Sequence, residues 1–194
     1  CLGRGGMKVH REGCSMVIAE LPVGGGVLGI GPMPGRGGAY ARELAEVLAW
    51  GPGLVLTMTT AEELAAKGAE GLPVDLGDAG VEWLHLPIAD FGVPSGETLA
   101  AWPAASVQAR EVLAAGGKVW VHCMGGCGRS GTAALRLMVE AGEEPGAALA
   151  RLRAVRPCAV WDVHRDLLLE RDVLLGRHPG GVLRASGEDL LRHL

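Results

Sequence analysis

The feature that most constrains the fold is the stretch VWVHCMGGCGRSGTAA, residues 119 to 134, in which an apolar run meets a glycine-rich loop and then an alanine-rich helix. A strand that leads directly into such a loop and helix brings the loop N–H groups and the helix N-terminus to one point, where they bind an anion. Glycine lets the main chain curl closely around an oxyanion because it has no Cβ. The stretch therefore predicts an anion site at the end of a buried strand.

The glycine-rich loop (residues 123–129) begins with a cysteine and ends with an arginine, and a serine follows it. A thiol among N–H donors and beside a guanidinium has its anionic form strongly favoured. We therefore expect Cys123 to be a thiolate at neutral pH, beside Arg129. The residues between them are expected to surround the bound anion with their main-chain N–H groups; they are Met124, Gly125, Gly126, Cys127 and Gly128.

Apolar runs that alternate with helical patterns predict an α/β fold with a mostly parallel central sheet flanked by helices. Strands are expected at 26–30, 54–58, 81–88 and 118–121, and helices at 39–50, 61–67, 96–115, 130–141 and 162–175. Thr60 and Glu63 have the spacing of a capping box. With 194 residues, we expect an N-terminal segment (1–25), one catalytic domain (26–176) and a C-terminal extension (177–194).

Composition excludes several classes of partner. The net charge of −4 gives no bulk attraction to nucleic acid or to an anionic membrane. No segment approaches the roughly 18 apolar residues that span a bilayer, and residues 1–13 lack the apolar core of a signal peptide, so we expect a cytoplasmic protein. The five cysteines are an odd number and show no disulfide framework, which favours a reducing compartment.

The segment HCMGGCGRS (122–130) matches HC-x5-R-[ST], the signature of the protein tyrosine and dual-specificity phosphatases, which the chain resembles. LPIADFGVPS (86–95) resembles the general-acid loop of the dual-specificity members. The kinase-associated phosphatase type is the most similar, and it shares a segment like LGIGPMPG (28–35). The resemblance covers roughly residues 26–175 and implies a dual-specificity phosphatase-like fold.

The resemblance also implies the roles of the site residues. Cys123 would attack phosphorus and form a phosphocysteine, while Arg129 grips two phosphoryl oxygens. Asp90 would protonate the leaving oxygen and then accept a proton from water, and Ser130 would hydrogen-bond the sulfur. No metal or other cofactor is implied. The predicted partner is a phosphorylated protein, with phosphotyrosine preferred and phosphoserine or phosphothreonine as further substrates; the oligomeric state is not predicted.

Some assignments stay open at this stage. Asp75, Asp78 and Glu97 are weaker alternatives to Asp90 as the acid. Many relatives carry a glutamine on the last helix where this chain has Arg165, which leaves the hydrolytic step without its usual water-positioning residue. Cys127 is interpreted as a small packing residue or as a thiol that resolves an oxidised Cys123 by forming a disulfide, with Cys158 as a second candidate.

Two other functional classes compete with a phosphatase. One is a phosphate-binding pseudophosphatase that recognises phosphoprotein without turnover. The other is a thiol-dependent arsenate reductase, indicated by the paired cysteines of the glycine-rich loop.

Zinc binding by His122, Cys123 and Cys127 is disfavoured because no fourth ligand is near in sequence. GGGVLG (24–29) matches a dinucleotide fingerprint, but it precedes a strand instead of following one.

Overall fold

The computed structural model describes residues 16–160. The strands are β1 (Ala19–Val23), β2 (Gly26–Pro32), β3 (Leu54–Thr57), β4 (Glu82–His85) and β5 (Lys118–Cys123). The helices are α1 (Tyr40–Trp50), α2 (Ala61–Ala66), α3 (Leu72–Asp78), α4 (Gly96–Ala114), α5 (Gly128–Glu140) and α6 (Pro145–Val155).

The strands form one sheet in the order β1-β2-β5-β3-β4. The pairs β2 with β5, β5 with β3 and β3 with β4 are parallel, and β1 pairs antiparallel with β2 at the edge. The prediction of an α/β fold with a mostly parallel sheet is thereby confirmed. The predicted N-terminal segment (1–25) contains β1, whereas the division into three segments itself stays a prediction.

Helices cover both faces of the sheet, and β5 shows this most clearly. Val119 and Val121 pack in a cluster with residues of α4, α5 and α6, whereas Trp120 packs with residues of α1, α2 and α3. Successive residues of a strand point to opposite faces, so a strand buried on both faces reads as a continuous apolar run. This burial holds the end of β5, which carries Cys123, in a fixed position.

Local signals in the sequence account for the helix starts nearest the site. The Thr60 side chain accepts from the Glu63 N–H, and the Glu63 carboxylate accepts from the Thr60 N–H, which completes the capping box of α2. The Ser95 hydroxyl accepts from the Thr98 N–H at 3.3 Å and caps α4. Pro103 lies inside α4. The helix predicted at 162–175 lies outside the described residues.

None of the helices between residues 16 and 160 combines the length and the apolar character that crossing a membrane requires.

Candidate active site

The candidate site lies where the carboxyl ends of the parallel strands meet. Cys123 is the last residue of β5 and is in register with Pro32, the last residue of β2. The chain then turns through the glycine-rich loop and enters α5 at Gly128. Because ligands of open α/β sheets bind beyond the carboxyl ends of the strands, this is the expected place for a site.

The curvature of the glycine-rich loop depends on Gly126. Its φ is +66°, in the left-handed region that favours glycine. A Cβ on this residue would lie 2.5 Å from the carbonyl oxygen of Gly31 and 2.6 Å from the nitrogen of Pro32. The loop therefore packs directly on the end of β2, and any larger residue at this position would push it away.

The Cys123 side chain is buried and surrounded by donors. Its sulfur lies 3.3 Å from the hydroxyl of Ser130, and the main-chain N–H groups of Ser130 and Cys127 also point at it. Burial raises the pKa of the thiol, but these hydrogen bonds and the charge of Arg129 outweigh it and hold the pKa below its ordinary value. The environment therefore stabilises the thiolate more than water does.

Arg129 is only 4 % exposed, and three hydrogen bonds hold its guanidinium. Nη1 donates to the Glu63 carboxylate at 2.6 Å and to the carbonyl oxygen of Ile88 at 2.9 Å. Nη2 donates to the other Glu63 oxygen at 2.8 Å. Burial raises the pKa of Glu63, but the bonds from Arg129 and Thr60 outweigh it and keep that carboxyl ionised.

Glu63 was not among the site residues that the sequence predicted. Its capping-box spacing with Thr60 was visible, but nothing local indicates that its carboxylate reaches Arg129, which lies 66 positions later in the chain. The same carboxylate thus both starts α2 and orients the arginine of the glycine-rich loop.

Asp90 lies on the loop between β4 and α4, opposite the glycine-rich loop. Its Oδ1 is 3.1 Å from Nη2 of Arg129, and its side chain is 53 % exposed. The alternative acids lie elsewhere: Asp75 accepts a hydrogen bond from the Tyr40 hydroxyl, Asp78 ends α3, and Glu97 lies in the first turn of α4. Of these four carboxylates, the described contacts join only Asp90 to Arg129.

A pocket of about 190 Å³ opens between these two loops. Most of the residues expected to bind substrate line it, whereas Gly126 packs behind the loop on β2. The lining residues are Asp90, Phe91, Cys123, Met124, Gly125, Cys127, Gly128 and Arg129. Phe91 is 76 % exposed and has a φ of +56°, which is strained for an aromatic residue and places it at the mouth of the pocket.

Cys127 forms a disulfide with Cys158, and Cys123 is a free cysteine. The expectation that the cysteines form no disulfide is wrong for this pair, and Cys127 is neither a plain packing residue nor the partner of Cys123. Disulfides are rare in the cytoplasm, so the cysteines no longer support the predicted cytoplasmic location, which stays a prediction.

His122 immediately precedes the nucleophile but does not face the pocket. It is fully buried, its Nε2 lies 2.7 Å from the hydroxyl of Thr57, and its ring stacks on Trp120. Burial, with smaller contributions from the charges of His85 and Arg129, lowers the pKa of His122 to about 3. A neutral His122 bonded to Thr57, together with the disulfide at Cys127, fits a structural role better than the zinc site considered above.

Arg165, the residue aligned with the missing glutamine, lies outside the described residues. The last described turn, residues 156–160, packs on the site instead. A Cβ on Gly131 of α5 would lie 2.7 Å from the nitrogen of Val160 and 2.9 Å from Cβ of Ala159. Glycine at position 131 therefore allows this turn to lie close against the start of α5.

A family model described as "Polymorphic toxin system, DSP-PTPase phosphatase" matches residues 33–143, more than half of the chain. No curated protein sequence matches the chain significantly.

Three solved structures are similar over most of their length. Tk-PTP in its active form is 34% identical, with a TM-score of 0.59, and the match covers 78% of this chain and 92% of that chain. PTPMT1 in complex with PI(5)P is 25% identical, with a TM-score of 0.61 and coverage of 77% and 93%. Kinase-associated phosphatase has a TM-score of 0.74 and coverage of 86% and 99%; at 23% identity that likeness shows the fold.

Proposed function

This chain belongs to the DSP-PTPase phosphatase family, and from that premise we propose that it hydrolyses phosphotyrosine in proteins, with phosphoserine and phosphothreonine as further substrates, through a phosphocysteine intermediate. The observation that carries the proposal is the placement of Cys123. Cys123 lines the pocket, its sulfur lies 3.3 Å from the Ser130 hydroxyl, and the charge of Arg129 lowers the pKa of its thiol. Donors that stabilise a thiolate also stabilise the oxygens of a phosphoryl group beside it.

In the first step, Cys123 attacks phosphorus in line with the ester oxygen. The sulfur–phosphorus bond forms as the phosphorus–oxygen bond breaks, and a protonated Asp90 gives its proton to the departing oxygen. In the second step, water attacks phosphorus and transfers a proton to Asp90, and the Cys123 thiolate leaves. The hydrogen bond from Ser130 stabilises that thiolate as it departs.

Asp90 has two positions in this scheme. In the structure its Oδ1 forms an ion pair with Nη2 of Arg129 at 3.1 Å, whereas Glu63 holds the guanidinium on another side. A phosphoryl group that enters the pocket replaces Asp90 on Nη2, since a dianion competes better for the guanidinium than an exposed carboxylate does. Asp90 is then released toward the leaving oxygen, and Glu63 keeps Arg129 in place.

Two features of the pocket favour an aromatic phosphoester on a protein. Phe91 stands at its mouth and presents a ring on which a tyrosine ring can stack. The residues between Cys123 and Arg129 include no lysine, so the loop lacks the extra charge that a polyphosphorylated lipid head group would need. Phosphotyrosine is therefore the preferred substrate in this proposal.

A phosphopeptide panel tests the substrate class. Peptides of one sequence that differ only in phosphotyrosine, phosphoserine or phosphothreonine are assayed for phosphate release with the wild type, Cys123→Ser and Phe91→Ala. We expect turnover highest on phosphotyrosine and lost in Cys123→Ser, with Phe91→Ala reducing the preference for phosphotyrosine. Binding of the peptides without phosphate release by the wild type would indicate a pseudophosphatase, and thiol-coupled reduction of arsenate without phosphate release would indicate a reductase.

A further inference from the structure

The turn after α6 contacts the outer side of the glycine-rich loop through two kinds of bond. Nε of Arg156 donates to the carbonyl oxygen of Gly126 at 2.7 Å, and Nη2 donates to that of Gly125 at 2.9 Å. The disulfide joins Cys158 to Cys127, the next residue of the loop. One short segment, residues 156–158, thus holds three consecutive loop residues.

The two carbonyl groups that Arg156 binds belong to the peptide groups that carry the N–H of Gly126 and the N–H of Cys127. In a trans peptide the C=O and N–H point in opposite directions, and no cis peptide occurs in the described part of the chain. Arg156 pulls both carbonyls outward and so turns both N–H groups inward. The N–H of Cys127 does point at the Cys123 sulfur, as this geometry requires.

We propose that residues 156–158, here called the outer clamp, hold the glycine-rich loop in its anion-binding curvature, with Arg156 as a positioning residue and the Cys127–Cys158 disulfide as its covalent support. The proposal rests on the phosphatase chemistry of Cys123 proposed above. It assigns Arg156 no contact with substrate: the guanidinium acts on the phosphoryl group through the two amides that it orients.

The surroundings of Arg156 are consistent with this role. Its hydrogen bonds go to loop carbonyls, and it forms no salt bridge with any carboxylate among residues 16–160. Burial lowers the pKa of Arg156 below its ordinary value; the charge of Cys123 acts in the opposite direction, and the charge of Arg36 lowers the pKa further. A lysine at this position would supply the positive charge, but not two N–H donors in the fixed planar geometry of a guanidinium.

Substitution of Arg156 tests the electrostatic half of the clamp. Arg156→Ala, Arg156→Lys and a control on the preceding helix α6, Arg151→Ala, are compared by kcat/KM on p-nitrophenyl phosphate, by inhibition with vanadate, and by the pH dependence of Cys123 alkylation. Arg151 is a matched control because it contacts Glu143 and the carbonyl of Pro22, away from the loop.

We expect Arg156→Ala and Arg156→Lys to lose about tenfold or more in both kcat/KM and vanadate affinity, and Cys123 to alkylate at higher pH than in wild type. Arg151→Ala should match wild type. The proposal is overturned if Arg156→Ala keeps the vanadate affinity and the alkylation profile of the wild type. It is also overturned if the whole loss of kcat/KM in Arg156→Ala is accounted for by the fraction of unfolded protein that circular dichroism measures.

Reduction tests the covalent half. Dithiothreitol converts the disulfide to two thiols and is itself oxidised to its cyclic disulfide. We expect the reduced wild type to lose about threefold in kcat/KM, although reductants otherwise protect a catalytic cysteine. The double variant C127A/C158A should show the same loss and no response to dithiothreitol. Equal activity of the oxidised and reduced wild type would overturn this half, whereas turnover by Cys123→Ser would overturn the proposed function and not the clamp.

Discussion

The carboxylate of Glu63 binds the guanidinium of Arg129 through two hydrogen bonds, at 2.6 and 2.8 Å, from a helix that starts at the end of the neighbouring strand β3. The carbonyl oxygen of Ile88 accepts a further hydrogen bond from the same Nη1 atom. These three bonds leave the Arg129 guanidinium little freedom to rotate. The cation that grips the phosphoryl group in our proposal is therefore oriented before substrate arrives. Preorganisation of this kind lowers the barrier without any rearrangement during the reaction.

Loss of the Glu63 charge should impair catalysis more than folding. Glutamine can still complete the capping box with Thr60, but it cannot pair as a carboxylate with Arg129. We expect Glu63→Gln to lower kcat/KM on p-nitrophenyl phosphate by about tenfold, with little change in the thermal midpoint. The control is Glu62→Gln, a change of the same type at the exposed neighbouring residue. Equal activities of the two variants would show that the Glu63 charge does not position Arg129.

The assignment of Asp90 as the acid predicts a dependence on the leaving group. Asp90→Asn should lose about a hundredfold on a phosphotyrosyl peptide and distinctly less on p-nitrophenyl phosphate, whose leaving group needs little protonation. Asp78→Asn, a change at an exposed position of α3, should behave as wild type. A loss of the same size on both substrates would contradict the acid role.

Removal of the Ser130 hydroxyl should make the Cys123 thiol harder to ionise. That hydrogen bond, at 3.3 Å, is one of those that hold the pKa of Cys123 below its ordinary value. In Ser130→Ala the pH midpoint for alkylation of Cys123 by iodoacetamide should therefore move upward, and kcat should fall by about tenfold as the thiolate becomes a poorer leaving group. An unchanged midpoint would rule out this role for Ser130.

The burial of His122 predicts how stability depends on pH. Its pKa is lowered from 6.5 to about 3 in the folded protein, so between these values the unfolded chain binds the proton and the folded protein does not. The free energy of unfolding should therefore fall as pH drops from about 6.5 toward 3. Nuclear magnetic resonance should show His122 still neutral at pH 5; a ring that titrates near 6.5 would contradict the assignment.

The sequence predicted those parts of the fold and site whose signals are local. The run from β5 through the glycine-rich loop to α5 is contiguous, and so is the capping box at Thr60, so both were visible without tertiary information. Strand β1 was missed because it is short, contains Pro22 and lies at the sheet edge. Helix α3 was missed because its seven residues include Pro73 and Gly77, both poor helix formers.

The missed parts of the site depend on contacts between distant segments. The Glu63–Arg129 pair joins residues 66 positions apart, and Arg156 reaches Gly126 across 30 positions. Neither partner of such a pair carries a local pattern that points to the other. The Cys127–Cys158 disulfide was missed for the same reason, since the pairing of cysteines cannot be deduced from spacing alone.

The most direct test of the account is mass spectrometry of the enzyme quenched in acid during turnover of a phosphotyrosyl peptide. Asp90→Asn is measured in parallel, since it should slow the hydrolysis of any intermediate. The account predicts a phosphoryl group on the peptide that contains Cys123 and none in Cys123→Ser. Steady phosphate release without phosphoryl on Cys123 in either enzyme, or turnover that survives in Cys123→Ser, would contradict it.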